Sequence, residues 1–248
     1  MKKILVPTLI ASAIAALSGV AQAQSAPAEP ESTLAFNAGA VSEYRYRGIS
    51  QSRLQPALQG GVDYTDKSGL YVGAWASTIK WIKDAGGSAP MELDLYGGYK
   101  GSAGDVAYDV GFLRYEYNNN KLNPNTNTNE IYGALTYGIF TAKYSHATSN
   151  LFGFANSKKS GYLDLSATVD LGEGYTLVPH LGRQNVEGAG NDKYSYTDYA
   201  LTLGKDLGNG LAATAALIGT DAKKGAYVSP AGKDLGKATV VLGLKYTF

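Results

Sequence analysis

The chain has no cysteine, and only two histidines and two methionines among its 248 residues. Without cysteine there is no disulfide, no Cys–zinc site, no thiolate nucleophile and no N-terminal lipid-bearing thiol. Two histidines among scattered carboxylates give no zinc-type ligand spacing. The Asn-rich stretch 118–129 lacks the alternating Asp pattern and central Gly of a calcium loop, and reads as a polar surface loop. No metal and no cofactor are therefore expected. Charge of one sign is also missing: 22 Lys+Arg stand against 21 Asp+Glu, a formal net charge of +1. Such a balance provides no global field for nucleic acid, so no nucleic-acid partner is expected. Long apolar runs are absent after Ala23. The longest, 211–219, is about half of what a helical membrane span needs.

What is there begins with an export signal. Lys2 and Lys3 precede the largely apolar stretch 4–20, and Ala21-Gln22-Ala23 fits an A-x-A cleavage site. Residues 1–23 read as a cleaved signal peptide, with the mature chain starting at Gln24. A retained single-span anchor is the alternative, but the apolar stretch is short and ends in the cleavage motif. Loss of Lys2 and Lys3 takes the formal charge of +1 down by two. Residues 24–33, rich in Pro, Ala, Ser and Glu, predict a disordered lead-in.

Glycine and tyrosine are abundant, at 31 and 19 residues. Tyrosine on this level suits β-structure and interfacial belts, and glycine suits turns and close strand packing. From Leu34 to Phe248 the dominant pattern is period-2 alternation. Ala238, Val240, Leu242, Leu244, Tyr246 and Phe248 form one face of the last segment, opposite Lys237, Thr239, Val241, Gly243, Lys245 and Thr247. About twelve such segments occur, each near the length of a tilted membrane strand. The first is expected over 34–47. In 70–81 both phases are plausible, and 211–220 is apolar on both faces. Connections alternate between long polar stretches (48–54, 82–90, 118–129, 149–160, 185–195, 221–236) and tight turns (66–69, 101–104, near 138, 172–174, 206–210). That one-sided pattern predicts an all-β fold, a transmembrane antiparallel up-and-down β-barrel over 34–248, with long loops outside and short turns in the periplasm. A soluble β-sandwich also alternates, but does not predict one-sided loops or a terminal Tyr-x-Phe strand.

The run Ser42-Glu43-Tyr44-Arg45-Tyr46-Arg47-Gly48-Ile49-Ser50-Gln51-Ser52 resembles the opening of the TorF-type porins of proteobacteria. Further similarities follow in order: Pro56-Ala57-Leu58-Gln59-Gly60-Gly61, Gly73-Ala74-Trp75-Ala76-Ser77, Glu92-Leu93-Asp94-Leu95-Tyr96-Gly97-Gly98-Tyr99, Tyr108-Asp109-Val110-Gly111 and Glu130-Ile131-Tyr132. The resemblance covers roughly residues 36–248 and is best over the first half. It implies a bacterial outer-membrane barrel, with no established catalytic residues and no assigned substrate.

Function is expected in the lumen. If Leu34, Phe36, Ala38 and Ala40 face lipid, the same strand turns Glu43, Arg45 and Arg47 inward, with Asp63, Glu92, Asp94 and Asp109 inward on neighbouring strands. Arg or Lys facing lipid at the midplane would cost about 2–4 kcal/mol, which places such charges inside. An acidic arc opposite a basic pair is the field of a diffusion channel. The same charges could instead pair and plug a narrow barrel. The leading expectation is a porin-like channel for passive diffusion of small polar solutes or ions. The alternatives are a closed-lumen structural or surface-binding barrel, and a barrel lipid or ester hydrolase. The hydrolase would need His146, beside Ser145, or His180, after Pro179, but neither sits in a recognisable hydrolase motif. No enzyme activity is therefore expected. Expected partners are outer-membrane lipids, the passing solutes and the barrel-assembly machinery, which Tyr246 and Phe248 on the last strand would address.

Overall fold

The computed structural model describes residues 32–248. The expected signal peptide and most of the lead-in lie outside the described residues; Thr33, expected in the lead-in, already belongs to the first strand. Twelve antiparallel strands follow one another around a closed barrel. They are β1 (Thr33–Val41), β2 (Ala57–Thr65), β3 (Leu70–Thr78), β4 (Met91–Ala103), β5 (Val106–Glu116), β6 (Thr128–Tyr137), β7 (Phe140–Ala147), β8 (Gly161–Ala167, resuming as Val169–Gly172), β9 (Tyr175–Asn185), β10 (Tyr196–Gly208), β11 (Leu211–Thr220) and β12 (Thr239–Thr247). Each strand pairs with the next. β1 closes against β12, with Asn37 opposite Thr247 and Ala40 opposite Leu244. At this seam Phe36 and Phe248 exchange two backbone N–H···O=C bonds of 2.9 Å. Closure removes the unpaired strand edge that lipid could not solvate.

The alternation is a record of the two faces. In β1, Leu34, Phe36, Ala38 and Ala40 are exposed on the outside, while Ala35, Asn37, Gly39 and Val41 are more covered and point inward. Large apolar side chains cover the outer wall, with Leu34 60%, Leu58 67% and Phe140 64% exposed. An outer surface of this kind is stable against hydrocarbon, not water. Aromatic residues Phe36, Tyr64, Tyr99, Tyr137, Phe140, Tyr175, Tyr246 and Phe248 stand exposed near the short-turn end, as an interfacial girdle does. The two ambiguous segments resolve by register. β3 turns Tyr71, Trp75 and Ser77 inward with Leu70 and Val72 outside, while Trp81 leaves the strand for a short helix, Trp81–Asp84. β11 turns Ala212, Thr214, Ala216 and Ile218 inward and exposes Leu217.

The connections separate by length. Turns 66–69, 104–105, 138–139, 173–174 and 209–210 close one end, and segments 42–56, 79–90, 117–127, 148–160, 186–195 and 221–238 lie at the other. Asn209-Gly210 adopts φ of 52° and 80°, the left-handed pair that a two-residue hairpin requires. In turn 66–69, hydrogen bonds from Ser68, with help from Ser32, hold the Asp66 carboxyl down to about 2.

Glycine and tyrosine combine in the wall itself. The rings of Tyr96, Tyr71, Tyr132 and Tyr162 lie over Gly73, Gly98, Gly111 and Gly182 on neighbouring strands, where a Cβ would collide with them. Each glycine leaves room for a tyrosine of the neighbouring strand, the arrangement by which aromatics cover strand glycines.

One expectation is corrected here. The first strand does not run to Arg47; it ends at Val41. Segment 42–56 then folds inward, and its Arg45–Tyr46 and Ile49–Ser50 form a two-rung ladder apart from the barrel sheet, with Ser50 N–H donating to the Leu235 carbonyl at 3.0 Å. Arg47 (φ 47°) and Gly48 (φ 78°) make the reversal. Tyr44, Tyr46 and Ile49 are buried, and Tyr44 and Tyr46 join the main apolar cluster with Trp75, Ile82, Leu113, Tyr115 and Tyr117. This cluster sits inside the barrel at the long-loop end.

Candidate lumen and its constriction

The inward hairpin 42–56 reaches several strands. Tyr44 Oη donates to Glu92 on β4 at 2.6 Å, and Tyr117 Oη donates to the other oxygen of Glu92 at 2.7 Å. Tyr46 and Tyr115 on β5 share a hydroxyl–hydroxyl bond of 2.5 Å. Arg47 Nη2 donates to both oxygens of Glu130 on β6, at 3.1 and 2.8 Å, and Nη1 donates to Gln184 Oε1 on β9 at 2.7 Å. Its guanidinium lies over the Tyr162 ring on β8, 4.2 Å from the centroid, and over Tyr46 at 4.7 Å. At the tip, a Cβ on Gly48 would collide with Asp198 on β10 and Thr220 on β11. The hairpin therefore spans the bore, which only glycine at its tip permits.

The predicted site residues divide accordingly. Glu43 and Arg45 are consumed within the hairpin: Arg45 Nε donates to Glu43 at 2.9 Å and Nη1 to the Gly48 carbonyl at 2.9 Å. Arg45 and Arg47 do not share a wall. They sit on the hairpin, so the opposed field of two walls expected from a continuous first strand is replaced by a plug facing a wall. Asp63, Glu92, Asp94 and Asp109 lie on inward phases of β2, β4 and β5. Asp63 accepts from Tyr96 Oη at 2.5 Å and Asp109 from Tyr71 Oη at 2.6 Å. Asp94 is 0% exposed, and neither of its oxygens has a hydrogen-bond partner.

Several lumen residues were not singled out from sequence. Glu130, Gln184 and Asp198 surround the arginine clasp. Lys143 faces Asp164 across the β7–β8 pair and lies 3.8 Å from the Tyr132 ring centroid. Lys100 opposes Asp109 across β4–β5. All occupy the inward phase of their own segments, and that phase was the available signal. In the short-turn half, Asp63, Lys100, Asp109 and Lys245 are partly buried, two acids and two bases. Asp164 and Asp198 share a rung opposite Gly182 with His180 between them, and Lys143 opposite Asp164 is buried. Nearer the long-loop end, wall residues Glu92, Asp94 and Glu130 are acidic and buried. The arginines at that level come from the hairpin.

The two histidines lie on opposite faces of the wall. His180 points inward, 2.8 Å from Asp198 and 3.2 Å from Asp164, with Tyr162 Oη at 3.1 Å from Nε2. No serine is among those partners. His146 occupies the outward phase of β7 beside Tyr144. Among the described residues no three His, Cys, Asp or Glu side chains group as a metal site. On the last strand, Tyr246 and Phe248 are exposed and stack at 5.6 Å, and Phe248 stacks on Phe36 across the seam at 5.9 Å.

A closed twelve-strand barrel with an apolar exterior and a charged interior has the fold of the outer-membrane porins. The chain belongs to the family described as "Bacterial protein of unknown function (Gcw_chp)", whose model matches residues 24–248. No curated protein matches it. Among solved structures it is similar to the KdgM porin in complex with disordered oligogalacturonate, with a TM-score of 0.53, 7% identity, and coverage of 88% of this chain and 99% of that one. A second similar structure comes from work on the in-meso crystallization of membrane proteins, with a TM-score of 0.51, 4% identity, and coverage of 87% and 83%. Outer membrane phospholipase A from Escherichia coli superposes with a TM-score of 0.45 at 11% identity, covering 88% and 96%. At these identities the likeness is one of fold.

Proposed function

We propose that this protein is a porin-like channel of the bacterial outer membrane, passing small polar solutes or ions by passive diffusion, with hairpin 42–56 as its constriction. One observation carries the reading. A charged, partly exposed lumen leads from the short-turn end to a hairpin whose Arg47 meets the opposite wall through its side chain, outside the barrel's strand ladder. A barrel with no solute to pass would be expected to fill that half with apolar packing. The resemblance to TorF-type porins supports the same reading. The KdgM porin was seen with oligogalacturonate, a polyanion. Here the constriction wall carries Glu92, Asp94, Glu130 and Asp198, which disfavours such a solute.

The second reading is a closed barrel, favoured by the burial of the Arg47–Glu130 pair, whose side chains are each 2% exposed. Planar-bilayer recordings separate the two. Replacing residues 44–50 by a Gly-Ser linker should raise single-channel conductance several-fold over a small wild-type value. Folded, inserted protein with no conductance in either form establishes the closed barrel instead.

A further inference from the structure

The setting of the Arg47 guanidinium is that of a bound ligand. One carboxylate, Glu130, accepts from Nη2 through both oxygens and is itself held by Tyr115 Oη at 3.2 Å. The Gln184 carboxamide is oriented by its own amide, which donates to the carbonyls of Gly161 and Asn185 at 3.1 and 3.0 Å; its oxygen is thus turned to the guanidinium. The hydroxyl end of Tyr162 lies against Gly182 and bonds to Asp198 at 2.9 Å, and the ring meets the guanidinium carbon with its face, 4.2 Å from the centroid. A carboxylate, an amide oxygen and an aromatic face together recognise a planar organic cation. These groups come from β6, β8 and β9, and the cation comes from the hairpin.

The fit is incomplete. Arg47 Nε is buried with no hydrogen-bond partner, and its backbone sits at φ 47°, a conformation that non-glycine residues rarely adopt. On the wall nearby, Asp94 is fully buried with both oxygens unpartnered, and Glu92 is fully buried with only tyrosine hydroxyls as donors. The wall beside the clasp thus holds buried acids that the guanidinium does not reach.

We infer that Glu130, Gln184 and Tyr162 form a binding site for guanidinium-bearing solutes, which Arg47 occupies from within as a tethered stand-in. This rests on the channel reading for its transport meaning, but not for the binding itself. A free guanidinium compound competes with Arg47 for the cage. When it wins, the hairpin loses its clasp and the acidic wall is bared to the lumen, so the opened channel prefers cations. This reverses the anion preference that two lumen arginines on a strand would confer.

The test uses the full-length mature protein, with folding checked by heat-modifiable migration, and methylguanidinium chloride as the probe. Calorimetric titration in detergent should show saturable binding to Arg47→Ala, weaker apparent binding to wild type, and about tenfold or greater loss in Arg47→Ala with Glu130→Gln. Arg47→Gln serves if Arg47→Ala does not fold. Tetramethylammonium, which has no N–H donors, should bind at least about tenfold more weakly than methylguanidinium. In bilayers, reversal potentials of Arg47→Ala under a KCl gradient should show cation preference. Binding without conductance upholds the cage and defeats the channel. Conductance with no methylguanidinium binding, or with equal binding of the two probes, overturns the cage. An anion-selective Arg47→Ala channel overturns the claim about the bared wall.

Discussion

Arg47 shows why a correct pattern can mislead about a single side chain. Glu43, Arg45 and Arg47 continue the alternation of Leu34–Ala40, so nothing in the local period marks the exit of the chain from the wall at Val41. The hairpin retains two faces because it too is packed on both, by Glu92 and Tyr115 on the phase of Tyr44 and Tyr46 and by Glu130 and Gln184 on that of Arg47. Tyrosine and glycine were legible as belts and turns, but not as ring-on-glycine pairs. Those depend on register between strands, which no single segment encodes. The inward phase of Asp63, Glu92, Asp94 and Asp109 was readable because each sits on the polar phase of an uninterrupted strand. Glu130 carries a prediction. Its loss leaves a buried guanidinium with an amide as its remaining polar partner, and breaking a buried pair in this way costs about 3–5 kcal/mol. Urea unfolding of Glu130→Ala in lipid vesicles, followed by tryptophan fluorescence, should show that drop. A change below about 1 kcal/mol, the value of a solvent-exposed pair, would mean that water reaches the clasp.

The connecting elements divide into turns that merely reverse the chain and long segments that build an inner cap. Trp81 in the short helix packs edge-on against Tyr117, Phe154 lies 4.4 Å from Tyr194, and Tyr227 packs against both Tyr194 and Tyr196. Burial among these rings pushes the Tyr227 hydroxyl upward in pKa. The alternation of long and short connections was plain in the sequence, since polar runs and Gly-containing turns differ in length. Their inward packing was not, because a loop of Asn, Gly and Tyr has the same composition whether it folds over the mouth or stands in water. Which end faces outward can be settled by labelling. Cysteine at Asn125 or Gly232 should react with an impermeant maleimide on whole cells, and cysteine at Glu173 should not. Gly232 lies in an exposed stretch and Glu173 at a two-residue turn, so neither is shielded by packing. Labelling at Glu173 alone would invert the barrel.

For the molecule as a whole, strand number and closure followed from counting alternating segments, and all twelve are present. The segment 161–171 is interrupted at Thr168, a detail that alternation does not reveal. The β1–β12 seam joins residues more than two hundred positions apart, and its last rung is the Phe36–Phe248 pair. Deleting Phe248 removes two backbone bonds and an aromatic stack at the closing strand. It should sharply reduce the heat-modifiable, membrane-inserted protein. Undiminished insertion would confine Phe248 to local packing.

The hairpin that crosses the bore has one more consequence. It is anchored at one side by β1 and β2, and it touches Glu130 on β6, Gln184 on β9 and the β10–β11 wall at Gly48. It therefore acts as a caliper. Its length suits one circumference, and a barrel of ten or fourteen strands could not satisfy both the clasp and the tip. The gauge is fixed to the seam strand itself, since β1, which leads into the hairpin, pairs with both β2 and β12.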